Sequence, residues 1–303
     1  MSTVSAAPGR EHLALDREQV ARAFDRTPFG FDHDLDRLEL FSLEALAQLA
    51  ERYDQQYMVA SGATDPAQEF YSVRMGGCTA RQAFDRLEAG NQRILLKAPE
   101  RYDARYRELL DELFALVLER RGGLGGAKVV RLASSVLITS RATITPFHFD
   151  PEITFFFQIA GQKRYHLYEP AALSEHELER FYRMGIVNIG QVDFANRDPA
   201  YEHVFALEPG KGMHQPQNCP HWVETGAAIS ISYAFSFETD RSRALGRVRA
   251  FNYYQRRLGR LPTLPGRNRA ADALKSETMR LAIPLRKSLG SVVRGAAARL
   301  PSR

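Results

Sequence analysis

Cysteine is nearly absent. Cys78 and Cys219 are the only two in 303 residues, and neither belongs to a CxxC pair. That usage excludes a disulfide framework and a cysteine-built zinc knot, and it predicts two reduced thiols. Long apolar runs are also missing: nowhere do the roughly 18 apolar residues needed for a membrane-spanning helix occur together. The opening stretch MSTVSAAPGREHLALD lacks the basic start and apolar core of a secretory signal, so the expected location is cytoplasmic. No internal repeat or long low-complexity tract stands out. What is present, 44% hydrophobic and 25% charged residues, is a globular composition that excludes disorder of the whole chain.

The overall charge of +5 hides an asymmetry. Residues 241–303 hold 16 Arg or Lys against Asp272 and Glu277, a local balance of +14, which leaves −9 on residues 1–240. A basic tail of this kind fits an acidic partner or an anionic surface, and a second copy of the chain is a further candidate partner. Nucleic acid is the weaker reading, because no aromatic platform in a recognised fold accompanies the charge. The stretch Met279–Leu300 mixes Leu, Val and Arg as a membrane-surface helix does, but Pro284 and Gly290 interrupt it. A solvated or intramolecular face is favoured, since the acidic body is at hand.

Periodicity divides the chain. Residues 1–15 are small and polar and read as a loose N-terminus. Residues 16–128 read as mainly helical, packing on a core. Helices are expected over Ser42–Tyr53 with Ser42 as N-cap, over Thr79–Ala89 closed by Gly90, and over Asp103–Arg121, with one short strand at Arg93–Leu96. From Val129 to about residue 240 the pattern changes to short β-type runs separated by Gly and Pro turns. The alternation Ile229-Ser230-Ile231-Ser232-Tyr233 is the period of a half-buried strand, and the whole predicts a jelly roll or barrel. Ala172–Met184 is a helical insert and Gly185–Asp198 is irregular. Residues 241–303 form a basic, partly helical extension with breaks expected at Pro262, Pro265 and Pro284.

One constellation carries chemistry. His148 and Asp150 flank Phe149 at the end of a predicted strand, and residues i and i+2 of an extended chain point to one face. An imidazole and a carboxylate can therefore reach one ion. A histidine from a distant strand would complete a 2-His-1-carboxylate triad, which suits iron and leaves coordination positions open. His221, in Asn218-Cys219-Pro220-His221-Trp222-Val223, is the preferred third ligand. His214 is its main rival, and His166 and His203 also compete. The His-x-Asp tripeptide alone is weak, because it arises by chance in about a third of chains this long. Similarly, a lone Lys163 is more often a surface lysine, and Phe155-Phe156-Phe157 is better read as core packing.

The flanks add specificity. Thr145-Pro146-Phe147-His148-Phe149-Asp150 is followed by an aromatic strand ending in Gly161-Gln162-Lys163-Arg164, by Tyr168-Glu169-Pro170, and by His221 after Pro216. Over roughly Val130–Phe237 this order resembles the JmjC branch of the Fe(II)/2-oxoglutarate oxygenases, with a spacing similar to that of the family's asparaginyl hydroxylases. The resemblance implies a mainly β fold with flanking helices, a double-stranded β-helix of cupin or jelly-roll type. It implies His148, Asp150 and His221 as ligands of Fe(II), with Lys163 and Thr145 on the distal carboxylate of 2-oxoglutarate and Thr154 in the same region. O2 would be the co-reactant, and the outcome would be hydroxylation of a protein side chain or small molecule with release of CO2 and succinate. Ala234 departs from the pattern, since relatives carry a polar Asn there, although Ser232 and Tyr233 are close by. The alternative is a non-catalytic cupin that binds metal or a small ligand as a sensor or assembly module. Gly185–Tyr201, where a substrate loop would lie, carries no recognisable code.

Overall fold

A computed structural model describes residues 12–53, 58–61, 63–68, 79–90, 92–184 and 193–297. In chain order its elements are β1 (Leu13–Ala14), α1 (Arg17–Ala23), β2 (Phe29–His33), α2 (Leu43–Glu51), β3 (Met58–Ser61), α3 (Ala80–Asp85), β4 (Gln92–Lys97) and α4 (Ala104–Arg121). There follow β5 (Val129–Thr139), β6 (Ile144–Phe149), β7 (Ile153–Ala160), β8 (Lys163–Tyr168), α5 (Glu175–Tyr182), β9 (Glu202–Leu207), β10 (Lys211–Gln215), β11 (Pro220–Thr225), β12 (Ser230–Thr239), α6 (Asp240–Arg257) and α7 (Arg269–Ala297).

Local chemistry sets the helix ends. The Ser42 hydroxyl accepts the Ala45 N–H and starts α2, while Thr79 with Gln82 and Ser174 with Glu177 form reciprocal capping boxes at α3 and α5. Asp103 caps α4, which ends on Gly122 at φ +77°. Of the expected helices, those over Thr79–Ala89 and Ala172–Met184 are each five residues shorter, because α3 stops at Asp85 and α5 runs only from Glu175 to Tyr182.

The strands form an eight-stranded sheet, β1-β2-β10-β7-β12-β5-β4-β3, and a four-stranded sheet, β6-β11-β8-β9, with every neighbouring pair antiparallel. Alternation along each strand sorts side chains into two cores. Phe155 and Phe157 of β7 and Tyr233, Phe235 and Phe237 of β12 leave the outer face of the large sheet and pack with Val20, Leu46, Leu110 and Leu113 of the N-terminal helices. Each such buried aromatic stabilises by about 1.5–3 kcal/mol. The opposite face presents Phe156, Met213, Ala234 and Leu137 to Tyr165, Leu167, Leu207 and Val223 of the small sheet, and these fill the barrel interior.

Three expectations change. The loose N-terminus is shorter than residue 15, because Leu13 and Ala14 pair with β2 and Leu13 is fully buried. The region before residue 129 is less helical than its periodicity suggests: β2, β3 and β4 join the large sheet, where sheet hydrogen bonding overrides weak local signals. Pro284 does not break the tail but lies inside α7. Part of the tail's basic charge is met within the chain. Arg249 makes a two-pronged bond to Glu175 at 3.0 and 2.9 Å, Arg256 reaches the buried Glu179 at 2.7 Å, and Arg243 reaches Glu238 at 2.9 Å. Among the described residues no helix is long and apolar enough to cross a membrane. Cys219 is a buried free thiol, while Cys78 and residues 185–192 of the expected irregular segment lie outside the described residues.

Gly161 makes the β7–β8 turn possible. Its φ is +66°, and a Cβ there would sit 2.4 Å from the Ile229 carbonyl oxygen. Gly161→Ala is expected to destabilise the fold by about 2–3 kcal/mol, read from the urea midpoint; an unchanged midpoint would contradict the turn's role.

Candidate active site

β6 and β11 place two imidazoles face to face. His148 and His221 are direct cross-strand partners, with ring centroids 4.1 Å apart. Between His221 and Val223 the register shifts, so that Val223 pairs with Thr145. This bulge absorbs one residue of β6 and returns both Thr145 and His148 to the barrel interior, although three positions separate them and a regular strand would set them on opposite faces. Asp150 follows the end of β6. One donor atom from each of His148, Asp150 and His221 lies within 4.8 Å of the others, and Asp150 Oδ2 is 3.8 Å from His221 Nε2.

The imidazole tautomers follow from hydrogen bonds. His148 Nδ1–H donates to the Pro146 carbonyl at 2.7 Å, and His221 Nδ1–H to the Cys219 carbonyl at 3.1 Å. A carbonyl only accepts, so each Nδ1 carries the proton and each Nε2 keeps its lone pair. Burial lowers the pKa of His148 well below the ordinary value, with the neighbouring His221 adding to the effect, and burial also lowers His221 against the pull of Asp150. Both rings are thereby held in the neutral form that ligates metal. Burial raises Asp150, which His221, Lys97 and Arg131 partly oppose. Two neutral imidazole lone pairs and one carboxylate converging in a polar hollow fit a divalent cation.

Lys163 begins β8, where it pairs with Thr225 on β11 and Leu207 on β9. Its side chain is 5% exposed, its ammonium donates to Ser232 Oγ at 2.9 Å, and it lies 5.5 Å from the centre of the Phe156 ring. Ser232 in turn donates to Gln158 Oε1 at 2.9 Å. Among the described residues no carboxylate pairs with Lys163. Burial, and then the Arg93 charge, pull its pKa down to about 7. Thr145 faces inward opposite Val223, and Thr154 lies between Gln215 and Ser236 on the large sheet. Ala234 sits in the interior core, and the hydroxyl beside Lys163 comes from Ser232, two residues earlier on the same face. Tyr233 points the other way, toward Phe41 and Tyr106.

The rival histidines lie elsewhere. His214 is on the outer face of β10, stacked on Phe24 at 5.2 Å, and its Nε2 accepts the Asp25 N–H at 3.0 Å. Gln215, one residue on, faces inward and accepts from the Tyr165 hydroxyl at 2.9 Å. His166 stacks on Trp222 at 3.9 Å and pairs with Glu202, while His203 pairs with Glu169, both away from the cluster. Two residues of the hollow went unnoticed in the sequence. Gln215 has only period-two alternation from His214 to reveal it. Arg93, whose charge acts on Lys163, His148 and His221, comes from β4, outside the expected barrel.

No family model matches the chain. It is 28% identical over 108 residues to HSPB1-associated protein 1 of Rattus norvegicus and of Homo sapiens, an overlap of 33% of this chain. It spans 22% of the length of these curated relatives. Among solved structures it is similar to E. coli YcfD, with a TM-score of 0.53 and 17% identity over 89% of this chain and 68% of that one. It is also similar to YcfD described as a ribosomal oxygenase from Escherichia coli in complex with cobalt and 2-oxoglutarate, with a TM-score of 0.52 and 17% identity over 90% of this chain and 67% of that one. At such identities the likeness is one of fold. The fold is the JmjC-type, cupin-like barrel, as the residue pattern predicted.

Two outcomes follow from this geometry. His221→Ala should lose at least about 100-fold in Mn(II) or Co(II) affinity, whereas His214→Phe should bind metal as the unmodified protein does while losing about 1–3 kcal/mol of stability; calorimetric titration and urea denaturation read both. Equal metal loss in the two variants would reject His221 as the ligand. The second concerns pH. An unfolded lysine keeps its proton to about 10.5 and the folded Lys163 only to about 7, so the unfolded state binds more protons between these values. The penalty for burying the charge is therefore full below pH 7 and fades as pH rises toward 10.5. Lys163→Met should raise the melting temperature at pH 7, with the gain shrinking by pH 10; a gain independent of pH would contradict it.

Proposed function

We propose that this chain is an Fe(II)- and 2-oxoglutarate-dependent oxygenase that hydroxylates a C–H bond, in the cytoplasm, with His148, Asp150 and His221 as the iron ligands. The observation that carries this reading is the pairing of two features in one barrel: three convergent donors, and a buried lysine that has no carboxylate partner among the described residues. A metal site alone would not need the lysine, and a lysine alone would not need the metal donors.

The chain's own residues divide the work. His148 and His221, oriented by the Pro146 and Cys219 carbonyls, present Nε2, and Asp150 supplies the single negative charge. Lys163 would take the far carboxylate of 2-oxoglutarate as a charge-assisted bond, with Ser232 holding its ammonium in place and Thr145 offering a hydroxyl from β6. Phe156, Leu137 and Val223 line the interior between the sheets and exclude water from that carboxylate, which strengthens its attraction to Lys163. When bound, Fe(II) supplies the oxidising chemistry, by which 2-oxoglutarate and O2 yield succinate, CO2 and a hydroxylated product.

The solved relative described as a ribosomal oxygenase, and the curated one described as associated with another protein, favour a protein side chain over a free metabolite as the substrate. The free thiol of Cys219 fits a reducing compartment.

Anaerobic addition of Fe(II) and then 2-oxoglutarate should give the visible metal-to-ligand band, and Lys163→Ala should lose the band while keeping metal affinity. Retention of 2-oxoglutarate binding by Lys163→Ala, or absence of the band together with absence of succinate release across peptide and metabolite substrates, would favour a metal-binding cupin without oxygenase activity.

A further inference from the structure

One residue joins the two segments that carry Asp150 and His221. The β6–β11 ladder ends at the pair Phe149–Pro220, so regular sheet pairing holds neither Asp150 nor Asn218. Instead the Asn218 N–H donates to the Asp150 carbonyl oxygen at 3.0 Å, and the next residue, Cys219, supplies the carbonyl that orients His221. A rotation of the chain at Asn218 would therefore move the backbone of Asp150 relative to that of His221. Asn218 sits at φ +62°, in the left-handed region, which asparagine tolerates better than most residues with a Cβ. Gln217 adds a second tie, because its Nε2 donates to the Pro151 carbonyl at 2.8 Å while its N–H donates to Asp25 Oδ1 at 2.9 Å.

The Asn218 side chain is gripped from the C-terminal layer. Its Oδ1 accepts the Tyr182 hydroxyl at 2.7 Å, and both residues are buried. Tyr182 ends α5, and its ring has little room to move. The Arg249 guanidinium, fixed by its bonds to Glu175, lies 5.7 Å from the ring centre, and a Cβ at Gly246 of α6 would come within 2.8 Å of the ring. The hydroxyl therefore cannot follow a turning Asn218 without disturbing the packing of α5 on α6. Breaking the bond would leave a buried donor and a buried acceptor without partners, which is costlier than the bond is strong. The contact thus locks the left-handed conformation of the residue that spans the two donor segments.

We propose that Asn218 is a positioning residue for the metal centre, locked by the Tyr182 hydroxyl, so that the α5–α6 layer sets the spacing of Asp150 and His221. This rests on the reading that these two side chains, with His148, ligate a divalent metal. Groups that stand behind metal ligands typically change affinity by about 10–100-fold when removed, because they fix the direction of the donors rather than their number. A layer that only stabilised the fold would leave the affinity of the folded chain unchanged. The role falls to the bond between Tyr182 and Asn218 because it is the point at which α5 meets the segment between the two donors.

The test uses the full chain and Co(II) in the absence of O2, with calorimetry for affinity and the visible Co(II) bands for the donor set. Tyr182→Phe, which keeps the ring and removes only the hydroxyl, should weaken Co(II) by about tenfold and shift the bands. Asn218→Gly, which keeps the left-handed backbone and removes the acceptor, should do the same. The double variant should lose no more than about twofold beyond either single one, since one bond is removed in each case. Arg256→Gln serves as the structural control: it takes the partner from the buried Glu179 in the same layer without touching Asn218, and it should lower the melting temperature while binding Co(II) within about twofold of the unmodified protein. Unchanged affinity and bands in either single variant, additive losses in the double variant, or an equal loss of Co(II) in Arg256→Gln would overturn the positioning role while leaving the metal ligands in place. Failure of the unmodified protein to bind Co(II) would overturn the metal reading as well.

Discussion

His148 and His221 face each other across one antiparallel pair, and the rest of the hollow is arranged around that contact. Cross-strand pairing holds the rings in place through the backbone ladder rather than through side-chain contacts. The carbonyls of Pro146 and Cys219, each two residues before its histidine, then settle which nitrogen carries the proton. The same ladder sets the position of Thr145 through its bulge and ties Lys163 to Thr225 on the other edge of β11. Donors and cation are therefore spaced by strand geometry, which resists the mutual repulsion of groups that would otherwise move apart.

The large sheet serves two environments at once. Its outer face is a continuous aromatic layer under the N-terminal helices, while its inner face alternates small and polar residues, Ser230, Ser232, Ala234 and Ser236, along β12. Small and polar residues line that face, and the bulky Tyr233, Phe235 and Phe237 between them supply the packing. Stability and site are thus carried by alternate residues of one strand, so a substitution on one face need not disturb the other. The C-terminal helices add a third layer, in which Arg243, Arg249 and Arg256 of α6 pair with carboxylates of α5 and β12. Part of the tail's charge thus becomes internal adhesion, and α6 belongs to the packed chain.

Much of the site was legible in the residues because it is local. His148-Phe149-Asp150 needs only strand alternation, and Gly161-Gln162-Lys163 needs only a turn whose glycine has a positive φ. Other parts depend on contacts the sequence does not index. His214 and His221 are both buried histidines near prolines, and the difference between them is the face of the strand they occupy. Arg93 was visible within a short strand, but nothing local says which sheet that strand joins or which side faces the hollow. Ala234 offers no side-chain donor, and the hydroxyl against the Lys163 ammonium comes from Ser232, a placement that only the fold reveals.

By itself the sequence determined the class of fold, the helix caps, the His-x-Asp pair and the cationic residue that follows it, because periodicity, capping and turn chemistry act over a few neighbouring residues. The tertiary structure decided the third donor, the inward bulge at Thr145, the strand order that brings β4 beside β5, and the internal pairing of the basic tail. Those features rest on hydrogen bonding and charge between segments far apart in the chain, and burial in the assembled barrel alone determines whether a histidine or a lysine meets a core, a carboxylate or a hollow.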